Sequence, residues 1–363
     1  MTPKERMMAA VHREKPDRLP VTIHQWQQYH LDKYMNGMSD LDANRAVGLD
    51  ASITFFRVEE AQSPDWRVET AQSSRPGYLE RRFTITTPEG TLTTLEGSNA
   101  MTTWVIEHLV KRPEDIHLLA KYRPIPRFDR RGSLNAHEEL GDDGILRTFL
   151  CGKQGGCWQD ACELFGVENL IMASFDDPAW VHEFLGILLE QKLRYIEDNL
   201  KGLPLDLVET GGGAASNTVI SPAIHRDFCL PYDRALHDAL HAMGHKVVYH
   251  TCGGMMKILD LIVANGCDAS ETLSPGALGG DIFTDADALI VKAALQPHVA
   301  MIGGMDQVNI LSKTADDIRK EVRRLFELYG SSGGYICSTS DHFFDTSRES
   351  LALFAQAARD CRY

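Results

Sequence analysis

The feature that most constrains this chain is a rhythm that sets in at Ile145 and runs to the end. Short apolar, β-branched runs at 145–150, 205–209, 246–250, 268–271, 299–303 and 334–337 read as strands. Helix signals separate them. Asp177 caps a helix with Pro178 at its first position, running to about 201, and Ser221-Pro222 opens another that Gly244 ends. Further helices are expected over 255–265, 285–295 and from Thr314 to 329, and Thr346 with Glu349 opens the closing helix. Two earlier runs, 19–23 and 51–56, bring the strand candidates to eight. Apolar strands separated by helices form a parallel sheet covered on both faces. Eight such units in 363 residues fit a (β/α)8 TIM barrel. An open doubly wound sheet is the alternative, but no Gly-x-Gly-x-x-Gly follows the early strands.

The rhythm is interrupted once. Between 57 and 144 the pattern turns to a β-hairpin, with strands 78–87 and 91–95 joined at Pro88-Glu89-Gly90, followed by a proline-containing polar stretch. This block reads as an insertion or cap after the second strand of a single barrel domain spanning 1–363. Ahead of the first strand, Thr2 and Glu5 form a capping box for a short helix through about His12.

The formal charge of −14, from 51 acidic and 37 basic residues, argues against a nucleic-acid surface and gives no reason to expect anionic membranes as partners. No run of 18 apolar residues is present and the first residues lack an apolar signal core, so a cytoplasmic protein is expected. Eight irregularly spaced cysteines do not form a disulfide framework; in the cytosol they stay reduced and available as thiolates.

Barrel active sites form at the C-terminal ends of the strands, so the strand ends hold the chemistry. They supply Glu209, then His250 and Cys252, then Glu271, and finally Cys337 with Asp341 and His342 just beyond. In extended backbone, residues two apart face the same side, which brings His250 and Cys252 to one point. His250, Cys252, Glu271 and Cys337 are all zinc-ligand types arriving at one rim. The competing reading makes Cys337 a buried core cysteine and Glu271 a hydrogen-bonded barrel carboxylate. His237, His241 and His245 also recur at metal spacing, but they lie on a helix outside the barrel and read as an ordinary helix face. Cys151, Cys157 and Cys162 lack zinc-ribbon spacing and read as buried apolar residues.

Several stretches carry a family resemblance: Met1-Thr2-Pro3-Lys4-Glu5-Arg6 with Lys15-Pro16-Asp17-Arg18, Asn217 to Pro222, Phe228 to Tyr232, His250-Thr251-Cys252-Gly253, and Gly333-Gly334-Tyr335-Ile336. On these the chain resembles the uroporphyrinogen decarboxylase superfamily, which includes zinc-dependent methyltransferases acting with corrinoid proteins or coenzyme M. The His-x-Cys, Glu, Cys order is also similar to the zinc site of cobalamin-independent methionine synthase. The resemblance implies a (β/α)8 barrel and one zinc ion held by His250, Cys252, Glu271 and Cys337. Many of the zinc methyltransferases place the last cysteine a few residues later, near Asp341 here, so either Cys337 or Asp341 completes the set. The segments by which true uroporphyrinogen decarboxylases resemble one another differ: Thr22 to Tyr29 replaces an arginine-rich clamp, and Thr54-Phe55-Phe56-Arg57 lacks the catalytic aspartate.

The activity so implied is transfer of a methyl group between a small methylated compound (a methyl ether, methanol-like molecule or thiol) and a corrinoid carried by a separate protein. Zinc would act as a Lewis acid. Glu209, Asp341 or His342 would supply a base or orient substrate, and Trp26, Tyr29, Phe55 and Phe56 would wall the site. A non-zinc decarboxylase or lyase, and a non-catalytic corrinoid-partner protein, are the alternatives. The oligomeric state is left open, with a homodimer as one option.

Overall fold

A computed structural model describes residues 1–363 apart from 60, 62, 152 and 153. Its centre is a curled, seven-stranded, wholly parallel sheet. The strands follow in chain order around the curl: Ala51–Thr54, Gly144–Phe149, Leu207–Gly211, Val247–His250, Ala269–Thr272, Ala300–Met305 and Tyr335–Thr339. Helices follow most of these strands and cover the outside, which gives a TIM-barrel-like fold.

The expected first strand, 19–23, contracts to a single bridge between Val21 and Cys337. Pro20 has no N–H to give to a ladder. The segment still joins the two edges of the sheet. Thr22 N donates to Cys337 O (2.9 Å), Cys337 N donates to Pro20 O (3.0 Å), and Asp50 N donates to Val21 O (2.9 Å). The Asp50 side chain replaces the missing ladder partner by accepting from Val21 N at 3.0 Å, while also binding the guanidinium groups of Arg6 and Arg18.

Strand alternation sorts every side chain into one of two layers. Ile145, Leu207, Val248, Ala269, Ala300, Ile302 and Ile336 face inward and pack with Met7, Ala10 and Val11. The latter belong to the helix Pro3–Val11, opened by the Thr2–Glu5 capping box, which closes the N-terminal end of the barrel. Leu146, Val208, Val247, Tyr249, Met301, Tyr335 and Cys337 face outward into the main core beneath the helices. Two residues further along four of the inward rows stand Arg147, Glu209, His250 and Glu271.

Within 57–144 the strands Tyr78–Thr87 and Gly90–Ser98 pair antiparallel, flanked by Arg67–Arg75 and Thr103–Glu107 in a four-stranded sheet. The closing helix is Arg348–Arg359, and its cap is Ser347 rather than Thr346, with Oγ accepting from Ser350 N at 3.1 Å.

Candidate metal centre

The inward polar residues converge above the barrel's apolar floor. His250 and Glu271 are register partners on adjacent strands, which fixes their side chains next to each other. His250 Nδ1 lies 3.1 Å from Glu271 Oε1 and 3.8 Å from Glu209 Oε1. Arg147 Nη2 donates to the same Glu271 Oε1 at 2.8 Å and to Glu209 Oε2 at 2.9 Å. His24 closes the group from the N-terminal segment, its Nδ1 3.8 Å from Glu271 Oε1 and its ring centroid 5.0 Å from that of His250. Its backbone N–H is anchored on Thr339 Oγ1 at 2.9 Å.

His24, His250 and Glu271 each bring a ligand atom within 4.8 Å of the others, and all three are buried. His24, Asp341 and His342 form a second such group, so His24 is common to both. The His342 ring stands 5.1 Å from His24 and is held by the Gln27 amide, 2.9 Å from Nδ1.

The charges leave His24, His342 and Glu271 ligand-ready, whereas His250 would have to give up a proton to a metal ion. Burial pulls the His24 and His342 rings below the ordinary imidazole value, leaving them neutral with a free lone pair. Burial works to raise Glu271, but the Arg147 charge and the His250 hydrogen bond hold it well below the carboxylate range. Burial, followed by the charge of Glu271, pushes Glu209 up to about 7. Burial works to lower His250, yet the charge of Cys252 and the hydrogen bond to Glu271 hold it well above the ordinary value.

These residues fit a cation. His250 Nε2 and Glu271 Oε2 are buried and have no hydrogen-bond partner among the described residues. A buried donor or acceptor without a partner costs about 1–3 kcal/mol, so such atoms point to a ligand that completes them. Imidazole nitrogens with one carboxylate, and a thiol close by, form a donor set that suits zinc.

The sequence expectations divide here. His250 and Glu271 meet. Cys252 lies past the end of its strand, half-buried, near enough for its charge to act on His250 but outside the three-ligand group. Cys337 is on the wrong face. It points outward beside Tyr335 while its neighbour Ile336 points in, so its thiol, pushed up to about 12 by burial, cannot join Glu271. Asp341 reaches the group through His24 and His342. Trp26 is buried against His30 and Phe343, and Tyr29 stacks edge-on to Phe344, so both brace the loop that carries Asp341 and His342. Phe55 packs on Phe128, away from the group, and Phe56 pairs with Phe149.

His24 and Arg147 were not singled out from sequence, although both carry the signal used for the others. Arg147 stands on the inward row of the run 145–150, and His24 stands one residue past the run 19–23. The three helix histidines are engaged elsewhere: His237 with Thr210 Oγ1 (2.7 Å) and Asn265 O (2.8 Å), His241 with Asp268 (2.8 Å), and His245 with Leu200 O (2.9 Å).

A family model described as "Uroporphyrinogen decarboxylase (URO-D)" matches residues 98–361. The chain belongs to that family. A uroporphyrinogen decarboxylase of Hydrogenovibrio crunogenus is 30% identical over 168 residues, which are 45% of this chain and 43% of that protein. The chain thus matches less than half the length of this relative. Among solved structures, a methyltransferase from Methanosarcina mazei superposes over 99% of this chain and 98% of its own, with a TM-score of 0.65 and 14% identity. At that identity the likeness is one of fold. A B12-independent methionine synthase from Shewanella sp. W3-18-1 gives a TM-score of 0.48 at 11% identity over 95% of both chains.

Proposed function

We propose that this member of the family is a zinc-dependent methyltransferase moving a methyl group between a small compound (a methyl ether, methanol-like molecule or thiol) and a corrinoid carried by a separate protein. The observation that carries this reading is the convergence of His24, His250 and Glu271, with Cys252 beside them, where His250 Nε2 and Glu271 Oε2 are buried without a hydrogen-bond partner among the described residues. Zinc bound by these residues would supply Lewis acidity toward a methyl donor's oxygen or an acceptor's sulfur.

The protein's own groups account for the rest. His24 and His250 offer nitrogen, Glu271 one oxygen, and Cys252 sulfur from the rim. Asp341 and His342 stand on the solvent side of His24, where they would orient substrate or complete the ligand set. Glu209, held near neutrality, can take or return a proton at an acceptor group. Phe56, just past the end of the first strand, and Phe149, the last residue of its neighbour, are half-buried and would offer an apolar wall to a methylated substrate. Arg147 is already held by two carboxylates, so it is not free to clamp a polycarboxylate such as a tetrapyrrole acid.

The test combines metal content with turnover. Purified protein is analysed for zinc and assayed with a Co(I) corrinoid protein and a panel of methyl ethers, methylamines and thiols. Zinc near stoichiometric and methyl transfer from at least one donor are expected. Zinc far below one per chain, with decarboxylation or elimination instead of methyl transfer, would establish a metal-free lyase and overturn the reading. Association with the corrinoid protein without any turnover would leave a non-catalytic partner.

A further inference from the structure

Arg147 lies fully buried beneath the site, and its Nη2 alone serves two carboxylates, 2.8 Å from Glu271 Oε1 and 2.9 Å from Glu209 Oε2. Glu271 Oε1 therefore carries both Arg147 and His250 Nδ1 (3.1 Å), while Oε2 has no partner among the described residues. We propose that Arg147 determines which metal the site accepts, by withholding carboxylate oxygens from the ion. This inference rests on the cation reading above.

The argument is one of ligand supply. Glu209 and Glu271 face the same small volume, and unrestrained they would present four oxygens to an ion. An oxygen-rich site suits Mg²⁺, Ca²⁺ or Mn²⁺, whereas imidazole and thiolate suit Zn²⁺. Arg147 occupies one oxygen of each carboxylate, so Glu271 faces the site as a one-oxygen ligand and Glu209 is drawn down toward the floor. The guanidinium stays charged at any working pH, and burial leaves no water to replace it. The nitrogen and sulfur donors His24, His250 and Cys252 are left to dominate. Arg147 is thus a positioning residue, acting on the metal through Glu271 and Glu209.

The experiment measures zinc and manganese dissociation constants by competition with a chromophoric chelator, and records the visible spectrum of the cobalt(II)-loaded protein. The wild type, Glu209→Gln, Arg147→Lys and the double variant Arg147→Gln/Glu209→Gln are compared, with folding checked by circular dichroism. The double variant removes one positive and one negative charge together, so no extra buried charge is left unpaired. Its preference for zinc over manganese is expected to fall by about tenfold or more relative to Glu209→Gln. Its cobalt bands should weaken as Glu271 turns to binding through both oxygens and the coordination number rises. Arg147→Lys, a point charge that holds one carboxylate at a time, should shift the same way by less. A folded double variant with the metal preference and cobalt spectrum of Glu209→Gln overturns the proposal. If the double variant does not fold, Arg147→Lys decides, and a wild-type ratio there overturns it. A wild type that binds neither zinc nor cobalt defeats the cation reading itself, whereas a wild type that binds both with an unmoved ratio defeats only the role of Arg147.

Discussion

His250 Nδ1 stands 3.1 Å from Glu271 Oε1, and the atom each residue has left over, Nε2 on one and Oε2 on the other, is buried without a partner among the described residues. The pairing follows from register, because the two residues sit directly opposite on adjacent parallel strands. Neither side chain can turn away without leaving the barrel interior, so the imidazole and the carboxylate stay side by side.

This geometry separates the two zinc sets that the sequence leaves open. His250→Ala removes the central ligand and is expected to cut bound zinc, measured by mass spectrometry after dialysis, to below about a tenth of the wild-type content. Cys337→Ala should bind zinc like the wild type, because its thiol lies in the outer core, and should cost only about 1–2 kcal/mol of stability in urea denaturation. Loss of zinc from Cys337→Ala with the fold intact would restore Cys337 as a ligand.

How far the site was legible depended on the strand rows. Periodicity located the strands, and the structure brings Glu209, His250 and Glu271 together on their inward rows. The same alternation applied residue by residue sends Cys337 outward, since Ile336 is the inward neighbour. His24 lies one residue past the run 19–23, and only the tertiary fold, which holds its backbone N–H on Thr339, brings its ring beside His250. Arg147 was missed because an inward arginine at the second residue beyond Ile145 has meaning only once the two carboxylates of other strands are beside it. Such pairings across 62 and 124 residues of chain are set by tertiary structure.

The seam of the barrel rests on Asp50. It accepts from Arg6 Nη1 (2.7 Å), Arg18 Nη2 (2.8 Å) and Val21 N (3.0 Å), tying the N-terminal helix and the bridging segment to the first strand. Asp50→Ala would leave two arginines short of their buried partner, at a cost of about 3–5 kcal/mol. Urea denaturation should show this, and His24, four residues past Pro20, should lose its place, with weaker zinc binding in the folded variant. A loss under about 1 kcal/mol would show that the seam does not depend on this cluster.

A glycine pair tests how tightly the strands close. Gly303 has φ +125°, and a Cβ there would lie 1.7 Å from the carbonyl oxygen of Thr272 on the neighbouring strand. Gly77, with φ +85°, has nothing within 4 Å of that position. Gly77→Ala should therefore cost only the left-handed backbone strain of about 1 kcal/mol. Gly303→Ala must also force two strands apart and should cost about 3 kcal/mol or more. Equal losses for the two in thermal or urea unfolding would mean that the Gly303–Thr272 approach relaxes freely.

The strand that carries His250 also carries a pH dependence on its outer face. Tyr249 donates its hydroxyl to Asp233 Oδ2 at 2.8 Å, and burial pushes the Asp233 carboxyl from 3.8 up to about 7. A carboxyl raised in the folded state holds a proton that the unfolded chain has already released. Its contribution is therefore fully present below the unfolded value and is lost as pH rises toward the folded one. Between pH 5 and 7 this group should lower stability by about 1.4 kcal/mol per pH unit at most, levelling off above that. Asp233→Asn keeps the shape and an acceptor for Tyr249 but carries no proton to lose. Urea midpoints of wild type and Asp233→Asn should accordingly be close at pH 5 and separate toward pH 8, with the variant the more stable. A constant gap across that range would mean that Asp233 is ionised throughout and that its pairing with Tyr249 does not depend on a shared proton.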